Sequence, residues 1–84
     1  MHGSEIAERE SIIKGLRERL ADAKRAAERI SDSRKRGLAL QKLERAENGI
    51  SDAEKSISDG GFAFVNGMIN ANREMTETSE QYFK

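Results

Sequence analysis

The sequence has no cysteine, no proline and no tryptophan, one histidine (His2), and four aromatic residues, Phe62, Phe64, Tyr82 and Phe83. Without cysteine there is no disulfide framework and no thiolate metal site. His2 lies in the short Met-His-Gly-Ser start and is given no role, so no histidine remains to act as the base of a hydrolytic triad. A helical di-iron site needs Glu-x-x-His pairs, and none exists. No glycine-rich loop precedes a Lys-Ser or Lys-Thr pair, and Gly60-Gly61 alone is no phosphate loop. The chain therefore reads as non-catalytic, with no metal and no cofactor.

Charge of one sign is also missing. Fifteen Lys and Arg balance fifteen Asp and Glu in 84 residues. This gives no overall attraction to a phosphate backbone or to anionic lipid, which disfavours nucleic acid as a partner. No run approaches the roughly 18 apolar residues needed to cross a bilayer, and no basic segment leads into an apolar signal-type core. The expectation is a soluble, cytoplasmic chain without membrane contact, holding at most one small domain over residues 1–84.

Large apolar residues are scarce as well, with Leu, Ile, Val and Phe together numbering 16 of 84. That is just under the roughly one-fifth associated with disorder, but disorder also requires a high net charge, which is absent. The pattern of the apolar residues decides. Ile6, Ile13, Leu20 and Ala27 recur at intervals of seven, and Arg9, Leu16, Ala23 and Ile30 form a second track offset by three. The two tracks predict a first helix over about 4–30, with Ser4 as its N-cap. Gly15 falls outside the seam, where it costs about 1 kcal/mol relative to alanine.

Cap-type residues and a glycine in Ser31-Asp32-Ser33-Arg34-Lys35-Arg36-Gly37 predict a turn. A second stripe follows: Ala39, Leu43, Ala46, Ile50, Ala53 and Ile57. In an antiparallel hairpin, facing residues have numbers that add to a constant. The pairs Ile30/Ala39, Ala27/Leu43, Ala23/Ala46, Leu20/Ile50, Leu16/Ala53 and Ile13/Ile57 all add to 69 or 70. Large residues set against alanine let two helices approach closely. An antiparallel coiled-coil hairpin results, its second helix over about 34–58. Asn48-Gly49 is a turn or cap pair, and Ser51-Asp52-Ala53-Glu54 resembles a capping box, so a bend near 48–50 is expected within one continuous helix.

Beyond Ser58-Asp59-Gly60-Gly61 the composition changes: Arg73 and Lys84 are the only basic residues left, and all four aromatics lie there. Phe64, Met68, Ala71, Met75, Thr78 and Tyr82 form a third helical stripe over 62–82, with Phe62, Val65 and Ile69 widening it. The competing reading is a β-hairpin turning at Asn66-Gly67 within 62–72. The helical reading completes an all-α fold, either a three-helix bundle or an oligomeric helical assembly.

Two helices with many seam alanines bury too little to offset the entropy of ordering them, so a further surface is needed, in cis or from another chain. The expected function is protein interaction by a scaffold, assembly factor, chaperone or small regulator that binds a protein partner or itself. Phe62, Phe64, Met68, Ile69, Met75, Tyr82 and Phe83 are the candidate contacts, because aromatics and methionine are enriched at interfaces. The alternative is a nucleic-acid-associated regulator using the basic tip Arg34, Lys35 and Arg36. Asp32 and Glu44 dilute that charge, and no aromatic lies near it in sequence for base stacking.

Overall fold

The computed structural model describes residues 2–83, which form three α-helices and no strand: α1 (His2–Glu28), α2 (Ser33–Lys55) and α3 (Phe62–Tyr82). They pack as an up-down-up three-helix bundle, the all-α architecture expected from the heptads. The rod measures 49 × 18 × 17 Å, its long axis set by helices rising about 1.5 Å per residue.

The first helix begins before Ser4, which lies inside its first turn and is not its cap. It stops at Glu28, two residues short of the expected end, because its last turn tightens: the Arg29 and Ile30 amides donate to the carbonyls three residues back, Ala26 and Ala27, at 3.2 and 3.1 Å. Arg36 then reaches back and donates to the Ile30 carbonyl at 2.8 Å. Asp32 caps α2 by accepting from the amides of Arg34 and Lys35, both at 2.9 Å. These bonds hold its carboxyl below the usual aspartate range. The Lys35 amide is the largest cause; desolvation opposes it, and the Arg34 amide and the charges of Lys35 and Arg36 add to the lowering.

The α1/α2 seam follows the heptad pairing. Ile13, Leu16, Leu20 and Ala27 are buried against Ala39, Leu43, Ala46, Ile50 and Ala53, while Ala23, Ile30 and Ile57 are half-buried at the edge of the same core. Two ion pairs one heptad apart, Arg17–Glu54 at 2.7 Å and Lys24–Glu47 at 3.0 Å, bridge the helices in that register. Arg9, the one charged residue on the heptad tracks, donates to the Ile57 carbonyl at 2.9 Å and so ties α1 to the end of α2.

The second helix ends at Lys55, three residues earlier than expected, in a tightened turn in which the Ser56 and Ile57 amides donate to the Ala53 and Glu54 carbonyls at 3.1 and 3.3 Å, and the Gly60 amide then donates to the Ser56 carbonyl at 3.0 Å. Gly60 has φ of +61°, a left-handed conformation that side chains disfavour.

The closest helix contact is between α2 and α3. Asn48-Gly49 is not a turn, and Asn66-Gly67 is not a hairpin; both glycines lie inside helices and face one another. A Cβ at Gly49 would stand 2.8 Å from the Gly67 carbonyl oxygen, and one at Gly67 would stand 2.5 Å from that of Gly49. Ala53 and Ala71, four residues beyond each glycine, extend this small-residue crossing. Phe64 on one side of the crossing and Met75 and Thr78 on the other are buried, and the Thr78 hydroxyl donates to the Glu74 carbonyl at 2.6 Å.

Candidate interaction surface

The seven aromatic and apolar residues singled out from the sequence separate into three groups. Phe64 and Met75 are 4% and 1% exposed and belong to the core. Met68, Tyr82 and Phe83 are half-buried against it. Phe62 and Ile69 are 84% and 53% exposed, and Val65 is 42% exposed. Phe62, Val65 and Ile69 therefore do not widen the buried stripe of α3, as the spacing predicted. They stand on the flank of α3 turned away from α2.

Arg19 shows what that flank faces. Its guanidinium donates to Asn72 Oδ1 at 2.8 Å and Thr76 Oγ1 at 3.3 Å, spanning the joint between α1 and α3. One heptad earlier, Arg19 is replaced by Ile12, Asn72 by Val65 and Thr76 by Ile69. Residues seven apart share a helix face, so the register set by Arg19 puts Ile12, itself 42% exposed, on the α3 side of α1 at the level of Val65 and Ile69. The same joint is thus polar and bonded at Arg19 and apolar and open at Ile12. Of the three helix pairs, α1 and α3 make the sparsest contact, and Ile12, Val65 and Ile69 are all exposed.

The sequence reading missed Ile12. Ile13 beside it satisfied the heptad, and nothing local marked the second isoleucine as more than a chance surface residue.

The basic tip is only partly free. Arg34 and Lys35 are exposed, while Arg36 is half-buried and donates to Ile30. Because α3 runs parallel to α1, it brings Tyr82 and Phe83 to this end, where they line a 260 Å³ depression with Ala26, Arg29 and Ile30. The fold thus places two half-buried aromatic side chains at the end of the bundle that carries the tip.

A larger groove of 510 Å³ lies on the α1/α2 side, over Ile13, Ala21 and Ile57. The Arg17–Glu54 pair lies along its wall. Glu74 is 9% exposed; its Oε2 has no hydrogen-bond partner among the described residues and lies 3.7 Å from Lys42 Nζ. Among the described residues no group of three or more His, Cys, Asp or Glu side chains is placed to hold a metal ion. No described helix is long and apolar enough to cross a membrane. Compared with protein-family models, with curated proteins and with solved structures, the chain has no match in any of the three.

Proposed function

We propose that the chain is a non-catalytic protein-interaction module that docks through the face formed by the N-terminal halves of α1 and α3. The observation that carries this is the clustering of Ile12, Phe62, Val65 and Ile69, all more than two-fifths exposed, beside one joint of the bundle. Isolated apolar residues on a surface need no explanation, but a contiguous group flanked by polar residues is characteristic of an interface. The absence of cysteine and of any histidine beyond His2 supports a binding role over a catalytic one.

A photo-crosslinking residue placed at Ile69 tests this in the cells that make the protein, with the same residue at Glu44, exposed on α2, as the control. Protein adducts should form from position 69 well above those from position 44. Equal yields from the two positions would overturn the docking face.

A second reading, association with single-stranded nucleic acid at the tip, is favoured by the meeting of Tyr82 and Phe83 with Arg29 near Arg34 and Lys35. It predicts gel retention at low salt that is abolished by Arg34→Glu with Lys35→Glu. Absence of retention at low salt removes it.

A further inference from the structure

We infer that the α1/α3 face is closed by a second copy of the chain, laid antiparallel across it about a two-fold axis that passes α1 midway between Ile12 and Gly15, an inference that rests on the docking reading above. Charge selects this partner first. The midpoint between Ile12 and Gly15 is also the midpoint between Glu8 and Arg19, both exposed on the same side of α1. Glu8 of each copy therefore meets the partner's Arg19, and the pair occurs twice. A parallel copy, with its two-fold along the rod, would set α1 against the partner's α3 and form neither Glu8–Arg19 pair. Farther out, the same axis sets Glu5 opposite the partner's Asp22, and this acidic pair is offset within each chain, where Glu5 is paired with Arg9 at 3.7 Å and Asp22 with Arg25.

Shape agrees. The same axis places Ile12 opposite the partner's Gly15. A glycine in mid-helix costs about 1 kcal/mol relative to alanine, yet no described atom lies within 4 Å of the Cβ that Gly15 lacks. Nothing within the chain requires a glycine there. An isoleucine seated over it from a neighbouring helix does, because the missing side chain forms the notch. At the level set by Arg19 with Asn72 and Thr76, the axis crosses α3 close to Ile69, so the Ile69 side chains of both copies meet near its centre.

Size agrees too. The axis lies within two residues of the middle of α1 (His2–Glu28), so antiparallel rods overlap along most of their length. One long side measures 49 × 18 Å, an outline long enough to carry a contact of standard size, which buries roughly 800 Å² per partner.

Sedimentation equilibrium with circular dichroism tests the assignment. The wild-type chain should sediment at twice its 9.4 kDa mass. Glu8→Arg alone and Arg19→Glu alone should each keep the helical signal and weaken dimerisation about tenfold or more. An equimolar mixture of these two variants should dimerise again, since both cross-pairs are then complementary. Gly15→Leu provides a variant that cannot fail by unfolding α1: leucine is the better helix former, so the monomer gains stability while the filled notch abolishes the dimer. A monomeric wild type, a dimer that survives Gly15→Leu, or a mixture that stays monomeric would each overturn the second copy. The docking reading fails separately, on the crosslinks: adducts from position 69 to a different protein would sustain that reading while removing this inference.

Discussion

A methyl group added at Gly67 would stand 2.5 Å from the Gly49 carbonyl oxygen and 2.8 Å from the Ala53 amide nitrogen, whereas one added at Gly37 meets no described atom within 4 Å. The same substitution should therefore act in opposite directions. Gly37→Ala is expected to raise stability by about 1 kcal/mol, the difference in helix propensity. Gly67→Ala gains the same propensity but forces backbone against backbone, and should lower stability by about 2 kcal/mol or more. Urea unfolding of the two variants beside the wild type checks both signs. These glycines also mark where residue-level reading stopped. Asn48-Gly49 and Asn66-Gly67 have the composition of turns, and only a neighbouring helix distinguishes a glycine that bends the chain from one that admits another backbone. Glu74 poses a similar problem. Lys42→Met should destabilise by about 1–3 kcal/mol by leaving that buried carboxylate without its nearest cation, and adding Glu74→Leu should recover most of the loss.

At the scale of the element, α2 depends on Asp32. Its carboxyl is depressed in the folded chain by the Lys35 and Arg34 amides, so it contributes stability that is fully present above the unfolded aspartate pKa, near 3.8, and is lost as pH falls through the lower folded value. Thermal melts should show Tm falling more steeply for wild type than for Asp32→Asn as the pH is taken below about 4, since asparagine caps without titrating. Asp32→Ala should lower Tm at neutral pH as well. The helices themselves were largely legible in the sequence. Ile13, Leu16 and Leu20 facing Ile57, Ala53 and Ile50 is what a heptad rule finds, because large side chains at regular spacing carry the signal. The α2/α3 crossing escaped it because Gly49, Ala53, Gly67 and Ala71 contribute closeness and almost no hydrophobic pattern. Helix ends differed by two or three residues where tightened last turns, not caps, closed them.

For the whole molecule, the distinction between the buried and the exposed apolar side chains of α3 is a distinction in stability. Phe64→Ala removes a buried ring and should cost about 3–5 kcal/mol, enough to unfold a domain of this size at moderate temperature. Phe62→Ser with Val65→Ser and Ile69→Ser, three changes on the same helix, should leave the thermal transition of the monomer nearly unchanged, because those side chains are exposed. Calorimetry at low protein concentration separates the two cases. Which apolar residues of 62–83 face inward could not be read from the sequence, since Phe62 and Phe64 are chemically alike and differ only in the angle at which α3 meets α2. The accessible surface, 5584 Å², exceeds the roughly 5,000 Å² expected of a folded monomer of this mass, consistent with a rod that has one side left open.

The sparse joint between α1 and α3 also sets the order in which the molecule comes apart. The α2/α3 pair is locked by backbone contact, whereas α1 is held by one seam, the clasp from Arg9 to Ile57 and the bonds of Arg19. Amide protons of α1 should then exchange with solvent deuterium through an opening that leaves α2 and α3 protected. The proposed second copy, lying across the joint, would hold that opening shut, so protection of α1 should then rise with protein concentration.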